Sequence, residues 1–181
     1  MQTNYKKYFK FFLSLLLCLF VRLIPFRVPN VEPIFATMMP VSRAYGAFFG
    51  ASFAVLSVLL YDILTGTLGM QSIFTIFAYG LIGWWAAKYF ANKKGSTMDY
   101  IHFSIIGTLA FDALTGLTVG PIFFHQSFLS SLVGQIPFTA LHLFGNVTLA
   151  FILSPAIYHL LIRKKEKAES SIIKTLNPKT I

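Results

Sequence analysis

A six-residue phrase occurs twice in this chain, and each copy places a carboxylate at the end of an apolar run. Residues 61–66 read Tyr-Asp-Ile-Leu-Thr-Gly, and residues 111–116, 50 positions later, read Phe-Asp-Ala-Leu-Thr-Gly. An acid in such a run is costly in a membrane, so it is a candidate for binding or ion pairing. Asp62 and Asp112 are predicted to lie at one membrane depth. There they accept hydrogen bonds from a solute, pair with an arginine, or help to close their helices through the Thr-Gly that follows.

A second polar group lies in a proline-rich stretch after the first apolar run. Residues 22–33 read Arg-Leu-Ile-Pro-Phe-Arg-Val-Pro-Asn-Val-Glu-Pro. Because proline restricts the backbone, this stretch can present Arg22, Asn30 and Glu32 from a rigid path. Arg22 either extends to the membrane interface or faces a wet cavity. In a cavity it would pair with a carboxylate of the protein or neutralise a carboxylate or phosphate of a ligand.

His142 and Asn146 stand four residues apart in the last apolar run, so they share one helix face. Facing the interior, they would contact a ligand or form hydrogen bonds between helices. Several aromatic residues could stack on a planar ligand, although their spacing does not select among them: Phe35, Tyr61, Tyr79, Phe111 and Phe123. The predicted solute-binding residues are Arg22, Asn30, Glu32, Asp62, Asp112, His142 and Asn146.

The sequence carries no pattern typical of metal binding or of a known catalytic centre. Its four histidines are scattered, and it has a single cysteine. No nucleotide-binding loop, nucleophile elbow or catalytic dyad is visible. We therefore expect no bound metal, no cofactor and no enzymatic activity. A membrane enzyme that uses Asp62 and Asp112 as its catalytic acids is an alternative with less support.

The composition indicates the elements that must position these residues. The chain is 56% hydrophobic and 12% charged, whereas soluble domains carry about 25% charged residues. This is typical of an integral membrane protein, and we predict an all-α, polytopic six-helix bundle in residues 1–163. Residues 164–181 are predicted to form a basic, disordered cytoplasmic tail. The net charge of +9 lies mostly beside helix ends, which argues for membrane orientation and against nucleic-acid binding.

Six segments are expected to cross or enter the membrane: residues 8–24, 33–45, 44–64, 68–87, 100–115 and 138–162. The second reaches only about 20 Å as a helix, so it is a short tilted span or a re-entrant piece. If it crosses, both termini are cytoplasmic and nearly all Lys and Arg residues lie inside, as the positive-inside rule requires. Only Arg22 and Arg27 then lie outside, together with the candidate acids.

A stripe of small residues marks the third segment. Gly46, Gly50 and Ala54 recur every four residues, a pattern that lets membrane helices approach closely. The stripe either packs against an internal neighbour or forms a docking face for another membrane subunit.

The chain resembles the substrate-binding S components of energy-coupling factor (ECF) transporters. The resemblance covers roughly residues 8–162. It rests on the size, the six-span hydropathy, the repeated Asp-x-Leu-Thr-Gly phrase and the opening phrase of Arg22, Pro25, Pro29, Asn30 and Pro33. It implies a multi-pass protein of the bacterial cytoplasmic membrane that captures a vitamin-like small organic solute from outside.

The same resemblance implies partners. An S component docks on an ECF transmembrane coupling subunit that carries two ATPase subunits. Many members dock through an Ala-xxx-Ala stripe in the first helix, which has no alanine here, so Gly46, Gly50 and Ala54 become the candidate docking residues. The alternative is a structural scaffold resembling the cell-shape protein MreD. A cavity of roughly 300 Å³ near the outer acids would favour the transporter, and a filled bundle would favour the scaffold.

Overall fold

A computed structural model describes residues 2–25 and 30–159, and side chains from residue 5 onwards. Within these ranges the regular secondary structure is helical, as predicted. The six helices are α1 (Gln2–Leu23), α2 (Pro33–Tyr45), α3 (Ala47–Thr65), α4 (Met70–Phe90), α5 (Thr97–Phe124) and α6 (Phe128–Tyr158). The tail predicted for residues 164–181, and Arg27, lie outside the described residues.

Three of the six helices are long and apolar enough to cross a membrane by length and composition, namely α3, α5 and α6. The α2 helix has 13 residues, or about 20 Å at 1.5 Å per residue. These properties indicate a membrane protein. That all six helices cross, and that both ends of the chain are cytoplasmic, stay predictions.

The α2 helix is the centre of the bundle. Ten consecutive residues, 33–42, are buried, and α2 packs against each of the other five helices. A helix that is covered all round is an interior element rather than a lipid-facing one. Pro33 at its start suits the first helical turn, where an N–H would have no intrahelical partner. The short apolar segment of the sequence is therefore the core of the fold.

The α3 and α4 helices cross at two glycines. A Cβ on Gly50 would lie 2.6 Å from the carbonyl oxygen of Gly83 and would collide with Ser42. Ser42 Oγ donates a hydrogen bond of 3.2 Å to that same carbonyl. Gly50 and Ala54 are thus buried against their own chain, and Gly46 is the exposed member of the stripe. A role of the stripe in subunit docking stays a prediction.

The last two helices are longer than predicted. The α5 helix continues to Phe124 instead of ending near residue 115, and α6 begins at Phe128 instead of near residue 138. The non-helical connection implied between residues 115 and 138 was therefore wrong, since only residues 125–127 separate the two helices. Gly116 and Gly120 lie directly against side chains of α6, so small residues in this stretch serve close helix packing rather than a turn.

Basic side chains collect at one end of the bundle. The Lys7 ammonium lies 3.8 Å from the centroid of the Phe49 ring, and the Arg43 guanidinium lies 3.9 Å from that of Tyr158. Arg22 lies at the far end of α1 from Lys7. The membrane side that each end faces stays a prediction.

Candidate functional site

A buried Arg22 and a partly buried Glu32 form an ion pair at the end of the bundle opposite the basic cluster. Arg22 Nε donates to Glu32 Oε2 at 2.8 Å, and the two side chains are 7% and 17% exposed. A second guanidinium nitrogen donates to the carbonyl oxygen of Ser57, and the guanidinium carbon lies 3.9 Å from the centroid of the Tyr61 ring. Of the alternatives predicted for Arg22, the geometry is that of a side chain paired with a protein carboxylate.

Local sequence explains why these two charges meet. Arg22 lies in the last turn of α1, and Glu32 is the extended residue that precedes Pro33 at the start of α2. A residue before proline is pushed towards extended conformations, so Glu32 turns out of the helix that follows it. A cation near a helix C-terminus and an anion near an N-terminus each complement the helix dipole. The pair thus joins two helix ends of opposite polarity, and each charge has the sign that its own helix end favours.

Asp112 and His142 form a second buried pair, between α5 and α6. Asp112 Oδ1 lies 2.7 Å from His142 Nδ1, and the side chains are 2% and 3% exposed. The imidazole makes edge contacts with Phe35, Phe111 and Phe138. The other carboxylate oxygen, Asp112 Oδ2, is buried and accepts no hydrogen bond from any residue in the described ranges.

Thr108 and Asn146 form the next contact along the same helix pair. Asn146 Nδ2 donates to Thr108 Oγ1 at 2.9 Å, and both residues are fully buried. Asn146 Oδ1, like Asp112 Oδ2, lacks a hydrogen-bond donor within the described residues. A buried acceptor without a donor costs stability. Two such oxygens, one on α5 and one on α6, therefore belong to neighbouring contacts of this helix pair.

The two pairs belong to one region, because residues 30–32 connect them. Asn30 adopts a left-handed conformation with φ 63°, which asparagine tolerates. A Cβ on Gly145 would lie 3.0 Å from the Asn30 carbonyl oxygen and from Val31 Cα. Glycine is needed there for the loop backbone to reach α6. Tyr79 of α4 packs on Phe111, the residue before Asp112, with the two ring centroids 4.2 Å apart.

Asp62 lies in a different environment from its counterpart in the repeat. It is partly exposed, and its carboxylate accepts a hydrogen bond of 3.4 Å from Thr67 Oγ1. Gly66, with φ 69°, ends the α3 helix, and the N–H of Thr67 donates to the Asp62 carbonyl at 2.9 Å. The first copy of the phrase closes a helix, whereas the second continues as helix. The repeat therefore does not bring its two carboxylates together.

Sequence reasoning missed several residues of this region. Thr108 stands four residues before Asp112, the same spacing as His142 and Asn146, so a search for matching polar spacings on two helices could have found it. Ser57 contributes the backbone carbonyl that accepts from Arg22. Gly145, which has no side chain, leaves room for the backbone of residues 30 and 31. Neither role leaves a signal in one sequence.

Two apolar grooves lie on the outside of the bundle. The larger, of ≈ 520 Å³, is lined by residues of α3 and α4, and the other, of ≈ 330 Å³, runs along α6. Neither is lined by a member of the two buried pairs. No family model, curated protein or solved structure matches the chain.

Proposed function

We propose that the chain is the substrate-capturing S component of an ECF-type importer in a bacterial cytoplasmic membrane. The observation that carries the proposal is the buried Asp112 carboxylate, one oxygen of which lies near aromatic rings without a hydrogen-bond donor among the described residues. Ionisable residues inside a membrane bundle are functional candidates because their burial is costly. The sequence resemblance supplies the transporter class.

The solute would bind at the end of the bundle that carries the two buried pairs. Asp112 and Asn146 offer oxygen acceptors to N–H groups of a vitamin-like molecule. Tyr79 and Phe111 offer ring faces for stacking. Because Arg22 is already paired with Glu32, we assign it the positioning of that carboxylate rather than the neutralisation of a solute anion. His142 holds the Asp112 carboxylate in place. Asn30 shapes the loop of residues 30–32 that covers the site. Asp62, which is partly exposed, lies at the rim of the site.

Solute entry would require movement of residues 30–32. These loop residues pass over α6 at Gly145, next to His142 and Asn146. The loop also carries Glu32, which pairs with Arg22. Its displacement would uncover both pairs from the same side. On this proposal the structure represents a closed state of the protein.

The proposed partners are an ECF transmembrane coupling subunit and two ATPase subunits. The chain would supply no enzymatic activity, use no cofactor and bind no nucleic acid. Gly46, exposed at the junction of α2 and α3, is the accessible member of the proposed docking stripe.

Ligand binding to the purified full-length chain tests the proposal. A panel of water-soluble vitamins and their precursors would be screened for a rise in thermal unfolding temperature in detergent. The hit should lose its effect in Asp112→Asn and keep most of it in Asp62→Asn, since Asp62 lies on the rim. A hit that stabilises Asp112→Asn and Arg22→Ala as well as the unaltered protein would overturn the assigned site.

A structural scaffold resembling MreD is the second candidate. It is favoured by the mutual pairing of Arg22 and Glu32 and by grooves that lie away from both pairs. Deletion of the gene separates the two candidates. Loss of rod shape in rich medium would favour the scaffold, whereas a nutrient requirement with normal cell shape would favour the importer.

A further inference from the structure

The buried Asp112 carboxylate has one oxygen, Oδ2, that receives no hydrogen bond from the described residues. The carboxylate is 2% exposed and meets His142 from α6. From α4 the ring of Tyr79 packs on Phe111, the residue before Asp112, and α2 contributes the ring of Phe35, which packs on Phe111 and His142. The guanidinium of α1, that of Arg22, is already paired with Glu32. A buried, uncompensated negative charge is costly, so this position favours a positive partner.

The unpaired oxygens show where such a partner would bind. Asp112 Oδ2 and Asn146 Oδ1 are both buried and both lack a donor in the described part of the chain. They belong to side-chain pairs that lie one turn apart on the same two helices, or roughly 6 Å along the helix axis. Thr108 Oγ1 accepts a hydrogen bond from the amide nitrogen of Asn146. The amide oxygen of Asn146 therefore points away from Thr108.

We propose that Asp112 and Asn146 bind one small monovalent cation between Asp112 Oδ2 and Asn146 Oδ1. One uncompensated carboxylate requires one positive charge, and carboxylate and amide oxygens suit hard cations. Asp112 Oδ1 keeps its 2.7 Å contact with His142 Nδ1 in this arrangement. A sodium ion would be coordinated by both oxygens, and a proton on Oδ2 would be donated to the amide oxygen. These are the oxygens that the importer proposal offers to a solute. Because the cation is tested in the absence of any solute, failure of the cation site can be distinguished from failure of the importer proposal.

Thermal unfolding of the full-length chain in detergent tests the site. In the first arm, sodium chloride replaces choline chloride at constant ionic strength at pH 8. In the second arm, the pH falls from 8 to 6 in choline chloride. A saturating ion should raise the unfolding temperature by about 5 °C. A rise in the first arm identifies sodium, and a rise in the second arm alone identifies a proton.

Matched variants assign the effect to these residues. Asp112→Asn preserves shape and removes the charge, so it should abolish the rise, whereas Asp62→Asn should keep it. If Asp112→Asn does not fold, Thr108→Val should weaken the effect, because it releases the amide that Thr108 holds. In the pH arm the rise should persist in His142→Gln. Loss of the rise in His142→Gln would place the proton on the imidazole and overturn the proposal.

A direct measurement completes the test. Binding of radioactive sodium to the purified protein should be saturable and should be lost in Asp112→Asn if sodium is the ion. The absence of an effect in both thermal arms would overturn the proposal. The two oxygens would then be satisfied by a water molecule or by a rotated Asn146 amide that donates to Asp112.

Discussion

At the scale of single residues, neighbours rather than residue type determine what each charge does. Asp62 and Asp112 occupy the same position in a repeated phrase. One accepts a hydrogen bond from a threonine at the rim, and the other is buried against a histidine. The difference arises because α5 continues past its copy of the phrase and packs against α6, whereas α3 ends after its own copy.

The Arg22–Glu32 pair gives a prediction about stability. Arg22→Ala removes one partner of a buried pair and should lower the free energy of unfolding by about 3 kcal/mol. Asp62→Asn, at the partly exposed rim, should change it by less than about 0.5 kcal/mol. Denaturation of both variants in mixed detergent micelles measures these differences. Equal losses in the two variants would mean that the buried pair contributes no more than the rim contact.

A double-mutant cycle isolates the interaction itself. The double variant Arg22→Ala, Glu32→Ala should be less destabilised than the sum of the single variants, by about 1–3 kcal/mol. The reason is that each single variant already removes their shared contact. Strict additivity, measured by the same denaturation, would contradict a direct contribution of the 2.8 Å contact to stability.

At the scale of elements, close packing depends on where glycine meets another backbone. Gly50 and Gly83 let α3 and α4 touch through their main chains. For Gly134 in α6, leaving out its chain neighbours and the nearby backbone of its own helix, no atom of the described residues lies within 4 Å of the position that a Cβ would take. The same residue type therefore has opposite consequences in the two helices.

Replacing these glycines by alanine should change stability in opposite directions. Gly50→Ala forces atoms of α2 and α4 to move and should destabilise the fold by about 1–3 kcal/mol. Gly134→Ala enters open space in a helix interior and should stabilise it by about 0.5–1 kcal/mol. Thermal unfolding of the two variants side by side is the measurement. A tolerated Gly50→Ala would show that the α3–α4 crossing is looser than described.

The two glycines of the repeated phrase give a second comparison at this scale. Gly66 has φ 69°, so Gly66→Ala should cost about 1–2 kcal/mol of stability. Gly116 is helical and faces the end of the flexible Gln135 side chain, so Gly116→Ala should cost clearly less. A larger loss for Gly116→Ala in thermal unfolding would contradict the helical continuation of α5.

At the scale of the whole molecule, the charge distribution predicts an orientation. Lys7 and Arg43 mark one end of the bundle, and the two buried pairs lie towards the other. If the basic end is cytoplasmic, the connection between α3 and α4 faces outwards and that between α4 and α5 faces inwards.

Cysteine labelling in intact cells tests this orientation. Leu68→Cys, at a position 55% exposed, should react with a membrane-impermeant maleimide. Asn92→Cys, also exposed, should react only after the cells are opened. The native Cys18 is buried, so it should give little background. The opposite labelling pattern would invert the bundle, and labelling of both sites from outside would contradict an odd number of crossings between them.

The sequence by itself determined that the chain is helical and apolar, because runs of apolar residues without soluble-domain charge leave no other stable arrangement in lipid. It also selected Arg22, Glu32, Asp112, His142 and Asn146 as candidate polar residues, but it expected Asp62 and Asp112 to occupy equivalent positions. Which carboxylate pairs with Arg22, which glycines touch a backbone and which copy of the repeat ends a helix were decided only by tertiary structure. Each depends on contacts between segments distant in the chain, and local propensities carry no information about them.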